Sequence, residues 1–398
     1  MKLKTFASVA AVCVLGAVAA RADDQPPPLF PLPYGLKLSG HAEFGSSFNT
    51  DSPDNNVNFG QLFTDRANSV RLNQAMLSLE RDLDPKNAGL QWGFKLQGMY
   101  GTDARITHYF NEFDRMTNSP YQWDVTEADL QAHLPLLGGG TDIKLGQYPT
   151  PLGEEVIDTT QNLLYSKSYI FNYGLPLKHT GLLTTTHVNG TLDVWLGLDT
   201  GVNDSLGDKG MANNFLPKGI IGFGLNNLMG GNLTILALSH IGPEASRFSE
   251  GTSFVTDEPS GAISVVPGAN NKMMQFYDIV TSYKINDSWS TVNELNYVKS
   301  DFAEASAGGV AQYLTYTIND HWSITGRAEV FSDQSKVAGG GFVCDFTNSQ
   351  GFVNFERGLA PSLGYCGADV PYNVTYGEIT LGATYKPGLP WGQVNAMI

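Results

Sequence analysis

The chain has 398 residues, with 39 acidic and 24 basic side chains and a formal net charge of −15. A hydrophobic content of 42% excludes a chain that is disordered throughout. No apolar run beyond residue 20 reaches the roughly 18 residues of a membrane-spanning helix. No Lys/Arg cluster provides the basic surface that nucleic acids require. The composition therefore argues against a helical membrane protein and against nucleic acid as a partner.

The first 22 residues have the pattern of a signal peptide. Lys2 and Lys4 precede the apolar stretch 6–20, and Ala20-Arg21-Ala22 is a small-x-small cleavage site. Cleavage before Asp23 would leave a formal charge of −18, because Lys2, Lys4 and Arg21 are removed with the peptide. We therefore expect an exported protein, with a periplasmic N-terminal segment at 23–35 ahead of the folded domain at 36–398.

The mature chain would contain two cysteines, Cys344 and Cys366. In an oxidising compartment two such thiols usually pair, so we expect a disulfide that closes a long connection. Cys13 is not favoured as a lipidation site, since Val12 precedes it where a small residue is expected.

Apolar and polar side chains alternate with a period of two along most of the chain. From residue 36 to 48, Leu36, Leu38, Ala42, Phe44 and Phe48 occupy one face and polar side chains the other. The same alternation recurs over 90–100, 127–134, 192–199, 322–330 and 378–385. These segments predict strands with one apolar and one polar face, and no segment is typical of a long amphipathic helix.

Short and long connections alternate between the predicted strands. The short ones, several with Asn/Asp/Gly hairpin chemistry, lie at 82–89, 135–141, 189–190, 226–231, 286–288, 319–320 and 386–391. The long ones lie at 49–69, 101–122, 149–177, 202–217, 242–272, 300–308 and 333–372. This pattern predicts an all-β fold, an antiparallel transmembrane β-barrel with short periplasmic turns and long extracellular loops.

The count of segments gives fourteen complete strands and a partial fifteenth that begins near Gly392. Because bacterial barrels have even strand numbers and close the first strand on the last, we expect about 16 strands, with the last one missing from this chain. Tryptophan and tyrosine collect near the predicted strand ends, as in the aromatic girdles of a membrane barrel. These residues are Trp92, Tyr283, Trp289, Tyr316, Trp322 and Tyr385 on the short-turn side, and Tyr100, Tyr277 and Tyr297 on the long-loop side. The alternative is the aromatic core of a soluble β-sandwich, which would rarely have seven long loops on one side.

Several motifs resemble one protein family. They are the runs 72–80 (LNQAMLSLE), 93–95 (GFK), 99–104 (MYGTDA), 142–147 (DIKLGQ), 155–157 (EVI) and 165–169 (YSKSY), followed by Phe171-Asn172 and His179-Thr180-Gly181. In this order and spacing they are similar to the putative β-barrel porin-2 (OmpL-like) family of Gram-negative outer membranes. The resemblance covers nearly the whole mature chain, although the last strands of the family would lie beyond Ile398. It implies a porin and leaves the solute open.

A diffusion channel needs a wet lumen and a constriction whose charges set selectivity. Charged residues at the strand positions that alternate toward the lumen are candidates for the channel wall. We single out Lys37, Glu43, Lys95, Glu127, Asp129, Lys144, Arg327 and Glu329. The third long loop contains Glu154, Glu155 and Asp158, and in general porins the third loop folds into the channel. By that analogy we expect these three carboxylates to face basic wall residues at the constriction, the alternative being a solvated outer loop. The acidic balance favours a weak cation preference.

The resemblance also implies an outer-membrane location, with lipid, lipopolysaccharide and small hydrophilic solutes or ions as partners, and a homotrimer as in general porins. No catalytic constellation is found, seven scattered histidines show no zinc spacing, and no cofactor is expected. Two alternatives remain open. A saccharide-selective channel would use Trp195, which falls on inward parity beside Asp193, and a surface adhesion or structural barrel would act through its long loops.

Overall fold

The computed structural model describes residues 30–54, 56–58, 60–84, 89–109, 113, 120–202, 218–244, 256–257, 262–263, 271–301, 304–335, 342–343, 373–387 and 395–397. The predicted signal peptide and both mature cysteines, with their predicted disulfide, lie outside these residues. None of the helices in this part of the chain is long and apolar enough to cross a membrane.

The described residues form one antiparallel sheet of sixteen strands, in which sequence neighbours are hydrogen-bonded to each other, and a separate two-stranded ribbon. The strands of the sheet are β1 (Phe30–Pro31), β2 (Lys37–Ser46), β3 (Val70–Arg81), β4 (Gln91–Gly101), β5 (Gln122–Leu134), β6 (Thr141–Pro149), β7 (Lys178–His187), β8 (Leu192–Asp199), β9 (Gly219–Leu228), β10 (Leu233–Pro243), β13 (Met273–Lys284), β14 (Trp289–Ser300), β15 (Ala305–Thr317), β16 (Trp322–Ser335), β17 (Asn373–Tyr385) and β18 (Ala396–Met397). The ribbon, between β10 and β13, consists of β11 (Thr256–Asp257) and β12 (Ala262–Ile263). One four-residue helix, α1 (Ala104–Thr107), follows β4. The all-β antiparallel fold is thus confirmed.

The fourteen long strands of the described chain coincide with the fourteen that the alternation predicts, and β18 lies in the predicted partial fifteenth. All seven predicted short turns connect strands that are antiparallel neighbours. Within the predicted N-terminal segment, β1 pairs with β2 through Phe30↔Leu38 and Pro31↔Lys37. Among the described residues no ladder joins β1 or β2 to β17 or β18.

One predicted long connection is wrong. Residues 300–308 do not form a loop, because β14 ends at Ser300, β15 begins at Ala305, and these two residues are paired. The first half of β15 is Ala-Ser-Ala-Gly-Gly, which lacks the large apolar residues that indicate a strand. Its inward-facing residues, Ala305, Ala307 and Gly309, are buried by a loop, as described below.

The outer face of the sheet is apolar. Leu130, Leu198 and Ile379 expose 63%, 62% and 88% of their surface, while the polar neighbours of each point inward. At the short-turn end, the outward pairs Trp289–Tyr316 and Trp322–Tyr385 have ring centroids 4.7 and 4.6 Å apart. At the long-loop end, Tyr100 and Trp123 form a similar pair at 4.7 Å. The two predicted aromatic belts are therefore present.

The buried core lies on the inner face of the sheet, where the first three long connections meet. Phe63 of the first packs on Phe171 of the third, with ring centroids 5.2 Å apart. Arg105 of α1, in the second, makes two hydrogen bonds with the Asp65 carboxylate, at 2.8 and 3.2 Å. The described parts of these three connections form one buried unit on the inner face of the sheet.

Candidate functional site

The third long connection, residues 150–177, is attached to strands near both ends of the sheet. On one side, Gln74 of β3 donates from Nε2 to the Ile157 carbonyl at 2.7 Å. On the other side, Arg327 of β16 donates from Nη1 to Glu155 Oε1 at 2.6 Å. Because β3 and β16 lie near opposite ends of the sheet order, this loop crosses the interior.

On the β3 side, Gln74 also holds the second long connection of the chain. Gln74 Nε2 also donates to Oδ2 of Asp103 at 2.9 Å, just after the end of β4. Burial raises the pKa of the Asp103 carboxyl to about 7. Gln74 Oε1 lies 3.4 Å from the Thr159 amide nitrogen, which donates to it. One buried amide side chain thus joins the second and third connections to the wall.

Wall carboxylates hold the backbone of the loop on the other side. Glu329 accepts hydrogen bonds from the amides of Tyr169 and Ile170, both at 2.8 Å. Asp278 accepts from the Gly153 amide at 3.1 Å, and Glu294 accepts from the Glu154 amide at 3.3 Å. These carboxylates satisfy backbone donors that would otherwise be unpaired, including those at the start of the short π-helix Ile170–Gly174.

Small residues on β15 make room for the loop. Ala305, Ala307 and Ala311 are buried against it. At Gly309, an added Cβ would lie only 2.7 Å from Ile170 Cγ1 and 2.9 Å from the Phe331 ring. The inward face of β15 is therefore a seat for residues 170–174, which explains why its sequence does not look like a strand.

The three predicted constriction carboxylates have three different environments. Glu155 is buried and paired with Arg327, whose Nη2 also contacts Glu378. Asp158 accepts from the Thr160 amide at 3.0 Å and lies 3.9 Å from His41 Nε2. Glu154 is half-buried, and its amide is the group that Glu294 holds.

A cavity of about 400 Å³ lies beside the loop, on the β4–β8 side. Its lining includes Asp158 and Gln161 from the loop and Lys95, Glu127, Lys144 and Trp195 from the wall. One predicted constriction residue and three predicted wall residues thus meet at one space.

The wall of this cavity carries a compact charge cluster. Lys95 Nζ lies 2.9 Å from Glu127 Oε2, and Lys144 Nζ lies 2.7 Å from Glu127 Oε1. Asp129 Oδ2 is 3.6 Å from the same Lys144 nitrogen. The lysine side chains are 25% and 32% exposed, whereas those of Glu127 and Asp129 are 5% and 0% exposed. The ammonium groups are consequently the accessible charges, and the two carboxylates lie behind them.

Two other predicted wall residues lie elsewhere. Lys37 is exposed near the short-turn end and pairs with Asp82. Glu43 is buried under the third loop, where its charge interacts with Lys167 and Asp103. Neither lines the cavity beside the loop.

The alternation of inward and outward residues in the sequence does not predict one buried ion pair. This pair joins Asp124 of β5 and Lys178 of β7. Their side chains are fully buried, with Oδ1 and Nζ 2.5 Å apart. The β4–β5 register shifts between Gln97 and Gly98, so that Thr126 is an extra residue in β5. Beyond that bulge the parity reverses, which turns Asp124 inward and Trp123 outward. No feature of the sequence marks the bulge.

Comparisons with known proteins agree with this architecture. The sequence profile of the putative β-barrel porin-2, OmpL-like family matches residues 35–396. No curated protein matches the sequence.

Among solved structures, the outer membrane channel DcaP of Acinetobacter baumannii is similar over 92% of this chain and 98% of its own, with 11% identity and a TM-score of 0.50. Pseudomonas putida OprB is similar over 86% of this chain and 89% of its own, with 12% identity and a TM-score of 0.47. An anion-selective porin from Comamonas acidovorans is similar over 91% of this chain and 98% of its own, with 10% identity and a TM-score of 0.37. At these identities the likeness to DcaP concerns the fold alone.

Proposed function

Because the chain belongs to the putative β-barrel porin-2, OmpL-like family and is a porin, we propose that it acts as a channel and not as an enzyme, and that its solutes pass between the third long loop and the β4–β8 wall. The observation that carries this path is the cavity of about 400 Å³ lined from both sides. Small hydrophilic solutes would diffuse through it passively. Asp158 on the loop and Lys95 and Lys144 on the wall would form the constriction.

The opposite side of the loop is a poor path. Glu329, Asp278 and Glu294 are engaged there with loop amides, and Ile170 fills the space over Gly309. Displacing the loop from that wall would leave these buried polar groups unpaired, at a cost of about 1–3 kcal/mol each. Solutes would therefore follow the side where charged groups line an open space.

We also propose a weak preference for cations. Among the described residues that line the cavity, the carboxylates of Glu127, Asp142 and Asp158 outnumber the ammonium groups of Lys95 and Lys144 by one. A fixed charge of this sign raises the local concentration of cations. Because positive and negative groups are paired at close range, the preference should be small.

The test is the reversal potential of the purified protein in planar bilayers under a salt gradient. Asp158→Asn should lower cation permeability and raise anion permeability by up to about fivefold each, since a unit charge at 4 Å in water is worth about 1 kcal/mol. Asp287→Asn is the matched control, because Asp287 carries the same charge with a 99% exposed side chain in the β13–β14 turn. It should leave the reversal potential unchanged.

An unchanged reversal potential in Asp158→Asn would remove this residue from the constriction. A folded barrel that never conducts would contradict the channel itself and would favour adhesion through the long loops.

One observation favours a second candidate, a saccharide-selective channel. Trp195 lies on the cavity wall. The flat, apolar ring of an indole can stack on the face of a sugar ring.

Export and assembly complete the proposal. We expect removal of residues 1–22, insertion among outer-membrane lipid and lipopolysaccharide, and association into a homotrimer. The apolar outer face supports insertion, with Leu130, Leu198 and Ile379 largely exposed.

A further inference from the structure

A buried group of two histidines and one aspartate lies at the long-loop end of three strands. His179 is near the start of β7, Asp199 ends β8, and His240 is near the end of β10. All three side chains are 0% exposed. One candidate ligand atom from each residue lies within 4.8 Å of the other two.

The contacts within this group leave several polar atoms without a partner. His240 Nε2 lies 3.0 Å from Asp199 Oδ1, a hydrogen-bond distance. His179 Nδ1 lies 3.6 Å from Asp199 Oδ2, which is too long for one. His179 Nδ1, Asp199 Oδ2 and His240 Nδ1 are all buried and make no hydrogen bond among the described residues. Buried polar atoms are nearly always paired, so this group calls for an additional partner.

We propose that His179, Asp199 and His240 bind a divalent transition-metal ion of the zinc class. Two ligand atoms bound tetrahedrally to zinc at 2.0–2.1 Å are about 3.3 Å apart. His240 Nε2 lies 3.0 Å from Asp199 Oδ1 and His179 Nδ1 lies 3.6 Å from Asp199 Oδ2, so each histidine nitrogen is close to that distance from one carboxylate oxygen. Two imidazoles and one carboxylate suit zinc and its neighbours better than magnesium or calcium, which prefer oxygen ligands.

Neighbouring groups hold the ligands in place. His179 Nε2 lies 3.1 Å from Thr150 Oγ1, which orients the ring so that Nδ1 faces Asp199. The Gly201 amide donates to Asp199 Oδ1 at 2.9 Å. Outer contacts of this kind are typical of metal-binding histidine and carboxylate groups.

The local charge is compatible with a cation. Lys218 is buried nearby and donates to the Thr200 carbonyl at 2.8 Å, which adds one positive charge. Asp199 and Glu244 offset it, and Glu244 Oε1 is itself buried without a hydrogen-bond partner among the described residues. Glu244 interacts electrostatically with both His240 and Lys218, so it is a candidate for the fourth ligand.

A metal at this position would link β7, β8 and β10 and, through Thr150, the start of the third loop. It would act as a structural clip on the channel wall. The proposal does not depend on which solute the porin transports.

The test is a titration of the full chain, folded in detergent micelles and freed of metal, with Co²⁺ followed by absorption. We expect one Co²⁺ per chain, displaced by Zn²⁺, and a higher unfolding temperature with Zn²⁺ present. His179→Ala, His240→Ala and Asp199→Asn should each lower Co²⁺ affinity by more than the roughly 10–100-fold typical of losing an outer contact.

His187→Ala is the matched control. His187 also lies on β7 and bonds to an aspartate, Asp193, at 2.8 Å, but it is at the short-turn end and its side chain is 34% exposed. The His187→Ala variant should bind Co²⁺ with the same affinity as the unaltered chain. Asp199→Asn keeps the size of the side chain and an oxygen for the Gly201 amide, so it should fold, which heat-modifiable migration in gels would verify.

Absence of binding by the folded, unaltered chain would overturn the proposal. So would equal affinity in Asp199→Asn, or an equal loss in His187→Ala, which would indicate adventitious binding to histidine.

Discussion

Arg327→Met tests whether the third loop is fixed across the lumen by a buried ion pair. The Arg327 side chain is 0% exposed and contacts Glu155 at 2.6 Å, Glu378, and the Ser166 carbonyl at 2.9 Å. Methionine has a similar length and no charge. The substitution would remove the guanidinium group from the Glu155 carboxylate, which is 3% exposed.

Breaking a buried pair by removing one partner costs about 3–5 kcal/mol. Glu378 is 17% exposed and keeps its contact with Gln61 at 3.2 Å, so it contributes less to this cost than Glu155 does. At 1.4 kcal/mol per tenfold, the docked loop should become about a hundredfold to a few thousandfold less favoured relative to an undocked one. The other attachments, at Gln74 and Glu329, oppose complete release.

The assay is single-channel recording in planar bilayers, combined with limited proteolysis of the folded protein. Arg327→Met should give larger and noisier conductance steps, and faster cleavage within residues 150–177. The double variant Glu155→Met/Arg327→Met should recover much of the original behaviour, because an apolar pair of similar volume often replaces a buried ion pair without loss. Identical conductance, noise and cleavage in Arg327→Met and the unaltered protein would refute the claim that this pair holds the loop.

Two further substitutions test the seat of the loop and the cavity wall. Gly309→Ala places a methyl group 2.7 Å from Ile170 Cγ1 and should destabilise the docked loop by about 1–3 kcal/mol, seen as added current noise. In the control Gly326→Ala the nearest atom to the added methyl group is 3.8 Å away, so the current noise should not change. Equal noise in both variants would contradict the claim that the loop packs on β15 at Gly309. If the channel selects saccharides, Trp195→Ala should weaken the block of current by a linear oligosaccharide severalfold, since an aromatic contact is worth about 0.5–1.5 kcal/mol. The outward Trp92→Ala, 58% exposed, should leave that block unchanged, and a block insensitive to Trp195→Ala would remove the saccharide alternative.

The fold could be predicted from the sequence because the membrane and the lumen impose opposite polarity on adjacent residues. Leu130 and Asp129 illustrate this, with the first 63% exposed on the outside and the second buried inside. The prediction is wrong at 300–308, where the inward side of β15 carries small residues because a loop packs on it, so the usual polar and apolar contrast is lost. It also misses Asp124, since a single extra residue in β5 reverses the parity beyond it.

The candidate site could be predicted only in outline. The order of the loops indicates that the third one enters the lumen, but the partners of its residues come from strands far away in sequence. Arg327 and Glu155 are 172 residues apart. His179, Asp199 and His240 likewise come from three strands, and their spacing in the sequence matches no metal motif. Such contacts depend on strand register and loop packing, which local patterns do not encode.

Net charge is therefore a poor guide to the selectivity of this channel. Glu329, Asp278 and Glu294 are counted among its acidic residues, yet each is at most 3% exposed and accepts hydrogen bonds from loop amides. Buried and paired in this way, they stabilise the loop and have little contact with the permeating solution. The field that a solute meets should instead follow the summed charge of the groups that line the cavity, which are Glu127, Asp142, Asp158, Lys95 and Lys144. For this reason a single substitution at Asp158 should change permeability more than the removal of several exposed charges in the turns.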